Sequence, residues 1–441
     1  MRVPLLSLTS LLTLAVGAPA LAGGAPPVSL EVGLDRSVLL SGPDQTAYLR
    51  VALSAGKLPA KAPRPRVNLA IVVDRAHGLG HQHLDVLRAT IDAAVAQLSP
   101  EDAVSVVAYD GTVELLVPAT RARERTTITS GLEHLRPGAG SALFAATSKG
   151  AAEVRKFRDG TTVDRVLLLS DGAASVGPTT PQELARLGAA LRREGIGLVA
   201  LGIGDDYDVD ALAALAEGNG GRFLGVEDVA TLPAVVRDGV GSLAAVVAQN
   251  VTVSVKFCSQ VVPKAVYGAR AEISGGSVDF TLSQIYAGEV EEVVVAFDMG
   301  QLDTNGAVAT VDAQFTPLGA AQTTSLNEQV RALVTQDADV AGNSLNPAVA
   351  TSVEERLALD KSGEAVALTD AGKADQARAM LQTASERLFE QADRYGSRRL
   401  QAIASELAVD AQTIDAPAWP ARRRAIIERA LAPVTYKQLR F

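Results

Sequence analysis

Three oxygen-bearing side chains fall where an open α/β sheet would hold a ligand. Asp74 closes the apolar run VNLAIVVD, Asp171 follows VLLLS and begins an Asp-Gly turn, and Ser141 lies between them on the glycine-rich stretch RPGAGSALF. Two carboxylates and a hydroxyl on one rim form a hard-oxygen set suited to Mg2+ or a similar divalent cation. Taken singly, Ser141 is also a good N-cap for a helix over ALFAATSKGAAEV, and Asp171-Gly172 is an ordinary turn. Asp74 is harder to explain that way. A carboxylate at the mouth of a buried strand needs a cation or several donors, because desolvating it unpaired is costly.

Two further sets could bind metal. His77, His81 and His83 crowd the stretch after Asp74, and the chain holds only 4 histidines. Imidazoles beside two carboxylates favour Zn2+, Ni2+ or Cu2+ over Mg2+, which makes a transition-metal-binding protein a rival reading. Solvent-exposed loop histidines account for the same residues without any ligand. Asp206, Asp208, Asp210 and Glu217 mimic ligand positions of a calcium loop, but Ala211 stands where that loop needs glycine. VDALAALAEG reads instead as a helix whose acidic start suits the macrodipole. No nucleophile elbow, H-E-x-x-H helix, C-x-x-C pair or phosphate-binding loop occurs, and Ser170 beside Asp171 has no evident histidine partner. No enzyme is expected.

The elements that must position these residues follow from the apolar pattern. From Val67 onward, short runs such as AIVV and VLLL alternate with amphipathic stretches such as HLDVLRATIDAAVAQL and PQELARLGAALRREG. Runs apolar on both alternations are strands covered on both faces, and strands separated by helices of about a dozen residues predict a parallel sheet with right-handed crossovers. Pro181 and Gly195 bound a predicted helix over 181–194. Asp110-Gly111 predicts a hairpin, hence one antiparallel edge strand. Before and after this unit, AYLRVALSA, NVTVSVKF, SVDFTL, EEVVVAFDM and AVATVDAQF carry period-two patterns expected of one β-sandwich that the α/β unit interrupts. Cys258, in VTVSVKFCSQV, is expected to be buried in it. After about residue 324 the pattern turns helical, and AVALTDAGKADQARAML resembles one tetratricopeptide-type hairpin turning at Gly372, within what is expected to be a plain helical bundle.

The first residues, MRVPLLSLTSLLTLAVGAPALAGG, read as a secretory signal: Arg2, an apolar stretch over Leu5–Val16, and an A-x-A site ending at Ala22. The stretch is too short to span a bilayer, and no later run of about 18 apolar residues exists. The mature protein is expected to be periplasmic or secreted, with no integral membrane segment. A net charge of −9 and 4% aromatic residues argue against a nucleic-acid partner, which needs a basic face or stacking platforms. The expected organisation is a signal peptide at 1–22, sandwich strands at 23–63, the α/β domain at 64–247, the rest of the sandwich at 248–323 and helices at 324–441.

The stretch 64–245 resembles a bacterial von Willebrand factor A domain, and the flanks resemble exported family members with that domain inserted in a β-sandwich. The resemblance implies a doubly wound, Rossmann-like fold and a metal-ion-dependent adhesion site: D-x-S-x-S after the first strand, a Thr on a later loop, and an Asp in a D-G turn. Asp74 and Asp171 match the two acidic positions, and Ser141 keeps the hydroxyl of the threonine. The two serine positions hold Ala76 and Gly78, which supply no oxygen. If each lost contact contributed about 1–1.5 kcal/mol, affinity would fall roughly 30- to 150-fold. The expectation is an exported, non-enzymatic adhesion or scaffold protein with no certain cofactor. Any Mg2+ or other divalent cation would be weakly held at Asp74, Ser141 and Asp171, and a protein partner would bind that rim. The same residues are compatible with a residual Mg2+-dependent adhesin, and the helices at 324–441 with a subunit of a cell-envelope complex that docks through them.

Overall fold

The computed structural model describes residues 27–42, 45–57, 64–76, 80–205, 207–300, 305–320 and 322–430, so the signal peptide expected at 1–22 lies outside the described residues. The chain opens with strands β1 (Val28–Leu34), β2 (Val38–Leu40) and β3 (Thr46–Ala55). An α/β unit follows: β4 (Arg66–Asp74), α1 (Gly80–Ala96), β5 (Ala103–Tyr109), β6 (Val113–Arg121), α2 (Arg125–Leu132), α3 (Leu143–Arg155), β7 (Thr162–Ser170), α4 (Pro181–Arg193), β8 (Gly197–Ile203), α5 (Val209–Asn219), β9 (Arg222–Val226) and α6 (Leu232–Ser242). Its sheet runs β6-β5-β4-β7-β8-β9, parallel except for β6 at the edge after the Asp110-Gly111 turn.

Because side chains alternate across a strand, neighbouring apolar residues feed two different cores. Ile71 and Val73 of β4 pack with Leu87 and Ile91 of α1 and Val236 of α6. Val72 faces the other way, toward Ala146 of α3, Leu187 of α4 and Leu215 of α5. The chain leaves β4 for β5 on one side and returns through β7 on the other. That reversal opens a crevice beyond the carboxyl ends of β4 and β7, the usual ligand position in such sheets. The predicted helix over 181–194 is α4, with Pro181 in its first turn, a Thr180–Glu183 capping box and Gly195 at φ +71°.

The sandwich is completed by β10 (Val246–Phe257), β11 (Val262–Tyr267), β12 (Ala271–Ser274), β13 (Ser277–Tyr286), β14 (Val290–Asp298), β15 (Gly306–Pro317) and β16 (Thr324–Thr335). One sheet runs β1-β3-β14-β11 and the other β12-β13-β10-β15-β16-β2; they close over one core containing Val51, Val253, Phe297 and Phe315. Three expectations need correction. Residues 324–335 are not helical: TSLNEQVRALVT is strand β16, held between β15 and β2. Its alternation is legible, but most of the strand is polar, and only backbone pairing decides its state. The boundary expected at 247/248 falls inside β10, which begins at Val246 without a linker. Cys258 follows β10 and is half-buried.

The tail comprises α7 (Ala338–Gly342), α8 (Pro347–Asp370), α9 (Ala374–Tyr395), α10 (Arg398–Thr413) and α11 (Trp419–Ala430). Gly372 turns α8 into α9 at φ +73°, and Ala377 is fully buried in their contact. Val349 and Val353 of α8 pack on Val294 of the sandwich. Helix α11 returns to the α/β unit. Arg423 pairs with Asp210 and Asp370 at 2.9 and 2.6 Å, and Arg424 donates to the Asp205 carbonyl at 3.1 Å while its guanidinium lies 5.6 Å from the Tyr207 ring centre. Among the described residues no helix is long and apolar enough to cross a membrane.

The junction also holds a titrating group. Burial pushes the Glu291 carboxyl up to about 7, although Arg222 and Arg356 oppose the shift. A carboxyl that holds its proton more tightly folded than unfolded favours the fold below the unfolded value near 4.5, and that stability is lost as pH rises through 7. Glu291→Gln is expected to match the wild type at pH 4.5 and exceed it at pH 8 by roughly 1–3 kcal/mol. Urea melts at the two pH values check this; a variant less stable than wild type at pH 8 contradicts the assignment.

Candidate binding rim

The three predicted site residues come together. Asp74 ends β4 with 1% of its surface exposed, and its Oδ1 accepts the Ala76 amide at 3.0 Å. Its Oδ2 accepts the Ser141 hydroxyl at 3.2 Å, and the Ser170 hydroxyl stands 3.4 Å away, shared with the Gly172 carbonyl at 3.2 Å. Asp171 follows Ser170 directly and is also buried. The phenol of Tyr109 is wholly buried beside both carboxylates. Burial first, and then the charge of Asp74, raise its pKa well above the ordinary value, against the Ser170 hydroxyl. At neutral pH the Tyr109 phenol therefore keeps its proton.

Local sequence explains this placement. Asp74 and Tyr109 are register partners at the ends of adjacent parallel strands, so both side chains must arrive at one rim. The RPGAG loop threads tightly against the end of β5: a Cβ on Gly138 would stand 1.9 Å from an Asp110 carboxylate oxygen. Gly150 similarly lets α3 lie on β4, where a Cβ would meet the Val72 Cγ2 at 2.6 Å. Ser141 is not the helix cap that its position suggests. Ala142 occupies the N-cap, while the Ser141 hydroxyl turns back to Asp74 and its amide donates to the Ser175 Oγ at 2.8 Å.

Sequence reasoning missed Tyr109 and the role of Ser170 toward Asp74; the register of β4 against β5 is the signal that finds the first. It also passed over Arg75, which is buried and donates to Asp110 at 3.0 Å and to Glu114. The Asp110 carboxyl lies below its usual range: burial opposes the shift, but the Thr112 hydroxyl and amide and the Arg75 guanidinium outweigh it. Arg75 thereby ties the rim to the edge hairpin.

Von Willebrand factor A domains commonly bind a divalent cation, and this donor set meets that demand only in part. Asp74, Asp171 and Ser141 offer oxygens, but Ala76 presents a methyl group, and the Asp74 oxygens are engaged by an amide and two hydroxyls of the chain itself. The described residues do not fit a firmly held Mg2+. His77 lies outside the described residues, as do the side chains of His81 and His83 at the start of α1. The acidic run near 206–217 is a helix start: the Asp208 side chain caps α5 by accepting from the Ala211 amide, and Asp210 pairs with Arg423; Asp206 lies outside the described residues.

A protein of Synechocystis, described only as uncharacterized, is 25% identical over 202 residues, covering 44% of this chain and 47% of that relative. The chain thus matches just under half of that relative's length. Among solved structures, a von Willebrand factor type A protein from Catenulispora acidiphila superposes with a TM-score of 0.68 at 16% identity, over 88% of this chain and 96% of the other. The ArnB paralog VWA2 from Sulfolobus acidocaldarius gives 0.61 at 15% identity, over 92% and 98%. Both likenesses extend beyond the α/β unit and concern the fold. Residues 68–238 match the von Willebrand factor type A domain family, and this chain carries that domain as its α/β unit.

Proposed function

We propose that the protein is an exported, non-enzymatic binding protein that engages a protein partner at the rim around Asp74, Ser141 and Asp171, without depending on a tightly held cation. The observation that carries this is the engagement of Asp74: its carboxylate is held by the Ala76 amide and the Ser141 and Ser170 hydroxyls, so the rim keeps its shape with protein donors alone. The surrounding loops expose small and apolar groups, Ala139, Ala173 and Val176, the last 41% exposed. Such a surface suits contact by shape and apolar burial. The resemblance of the first residues to a secretory signal and the absence of a recognisable catalytic set in the sequence support the exported and non-enzymatic parts of the proposal.

The test is capture of envelope proteins by the immobilised mature chain, in Mg2+ and in EDTA. The expected result is a partner retained equally in both and reduced at least tenfold by Ala139→Arg/Val176→Arg, two exposed positions, with an unchanged melting temperature of the variant showing that the fold is kept. Loss of the partner in EDTA overturns the cation-independent contact. Unchanged capture by the double variant removes the rim as the binding surface.

A further inference from the structure

Where the α/β unit, the sandwich and the helical tail meet, the chain forms a cavity of about 720 Å3, well within the range of small-molecule sites. Five arginines line it: Arg165, Arg192, Arg222, Arg270 and Arg356. This concentration stands out in a chain of net charge −9. Two of the five have clear partners. Arg222 donates to both oxygens of Glu289 at 2.9 and 3.0 Å, and Arg356 donates to the Glu292 carbonyl at 3.0 Å.

The other three have no paired carboxylate among the described residues. Arg165 is 3% exposed, and its hydrogen bonds go to neutral groups, the Gln284 carbonyl oxygen and the Tyr286 hydroxyl. Its Nε and the Gln284 Nε2 are buried donors without an acceptor among the described residues. Burial lowers the Arg165 pKa against the pull of Tyr286, and the charge of Arg222 adds to the lowering. Arg192 is half-buried and Arg270 exposed; neither makes an ion pair with a described residue, and each repels the other. A buried guanidinium without a carboxylate is costly, and an anion entering the cavity relieves that cost.

The three cations are connected through one strand. Gln284 contacts Arg165, Ser283 donates to the Gly220 carbonyl at 2.9 Å, and Gly220 borders the Arg192 stem. Acidic residues line the cavity too, but two of them, Asp360 and Glu364, lie on α8 on the tail side, where Glu364 pairs with Lys361 at 2.5 Å. Glu291 sits by Arg222 and Arg356, and Glu217 is exposed. Val266, Leu282 and Leu359 supply apolar wall. Planar guanidinium forks match the oxygens of phosphate and carboxylate groups.

We propose that this interdomain cavity binds a small organic oxyanion, its phosphate or carboxylate group received by Arg165, Arg192 and Arg270 and its carbon skeleton resting on Val266, Leu282 and Leu359. The site is separate from the Asp74 rim, and its ligand bridges three parts of the fold.

The test is thermal unfolding and calorimetry of the full mature chain with sodium phosphate, sodium succinate, or sodium chloride at matched ionic strength. The expected result is a saturable rise in Tm with phosphate or succinate but not chloride, with affinity at least tenfold weaker in Arg192→Gln/Arg270→Gln. Saturation by phosphate identifies phosphate esters as the ligand class, and saturation by succinate identifies carboxylates. The two substituted side chains make no ion pair with a described residue and are not fully buried, so the unliganded variant should melt with the wild type, which the same scan verifies. Equal rises in all three salts, or equal affinity in wild type and variant, overturn the proposal. Should the double variant melt early, Gln284→Glu, which places a carboxylate beside Arg165, must abolish the phosphate or succinate response; a preserved response is equally fatal.

Discussion

Ala76→Ser/Gly78→Ser is expected to tighten Mg2+ binding at the rim by about 30- to 150-fold. The range takes two restored hydroxyl contacts at about 1–1.5 kcal/mol each and converts their sum at about 1.4 kcal/mol per decade. The frame for such a site is present: Asp74 and Asp171 are buried beside the same Tyr109 phenol, and the Ser141 hydroxyl already points at Asp74. The described part of the missing pattern is Ala76, 7% exposed and anchored by its amide to Asp74. A hydroxyl on its Cβ adds an oxygen to a loop start that is already held in position. Calorimetry of the wild type, the double variant and the double variant carrying Asp171→Asn checks the claim. Heat should appear or sharpen in the second and vanish in the third. Equal Mg2+ affinity in wild type and double variant means that the rim geometry, rather than the lost hydroxyls, sets cation affinity. A rim weakened by missing oxygens would then lose its chemical basis.

The second large effect concerns the tail. Asp410 of α10 has no exposed side-chain surface and receives Arg422 and Arg429 of α11, the latter at 3.1 Å. Burial raises its pKa against the pull of Arg422. Asp410→Ala removes the acceptor shared by two guanidiniums that are each 27% exposed, so solvent recovers part of the loss. The expected destabilisation of the α10–α11 contact is about 2–4 kcal/mol, with Asp410→Asn intermediate because its amide oxygen still accepts. The release should also spread to the α/β unit, because α11 carries Arg423 and Arg424 onto Asp210 and Asp205. Tryptic cleavage at Arg422–Arg424 under native conditions should therefore accelerate well before global unfolding. Wild-type proteolysis rates in Asp410→Ala would show that α11 is held by its apolar contacts instead.

Much of the rim is legible from residue order. Asp74 and Asp171 each close an apolar run covered on both faces, and in a parallel sheet all such runs end on the same side. The doubly wound sheet is legible for the same reason, and the antiparallel edge announces itself through Asp110-Gly111. Other residues mislead. Ser141 looks like a cap because serine before a helix usually is one, yet a buried carboxylate nearby is the stronger acceptor for its proton. TSLNEQVRALVT looks like the approach to a helical tail, because a strand with mostly polar residues carries little apolar signal. Tyr109 reads only as an aromatic at the end of a buried run, and its importance depends on which strand lies beside β5.

Residue order by itself determined the period of each segment, the carboxylates at the strand tips and the missing hydroxyls at 76 and 78, since these are properties of neighbours along the chain. Only the tertiary structure decided that Asp74 is satisfied by Ala76, Ser141 and Ser170, that α11 returns to the α/β unit, and that Arg165, Arg192 and Arg270 meet around one cavity. The reason is desolvation. Whether a charge is costly or useful depends on what surrounds it in space, and the groups around these arginines come from three separate parts of the chain.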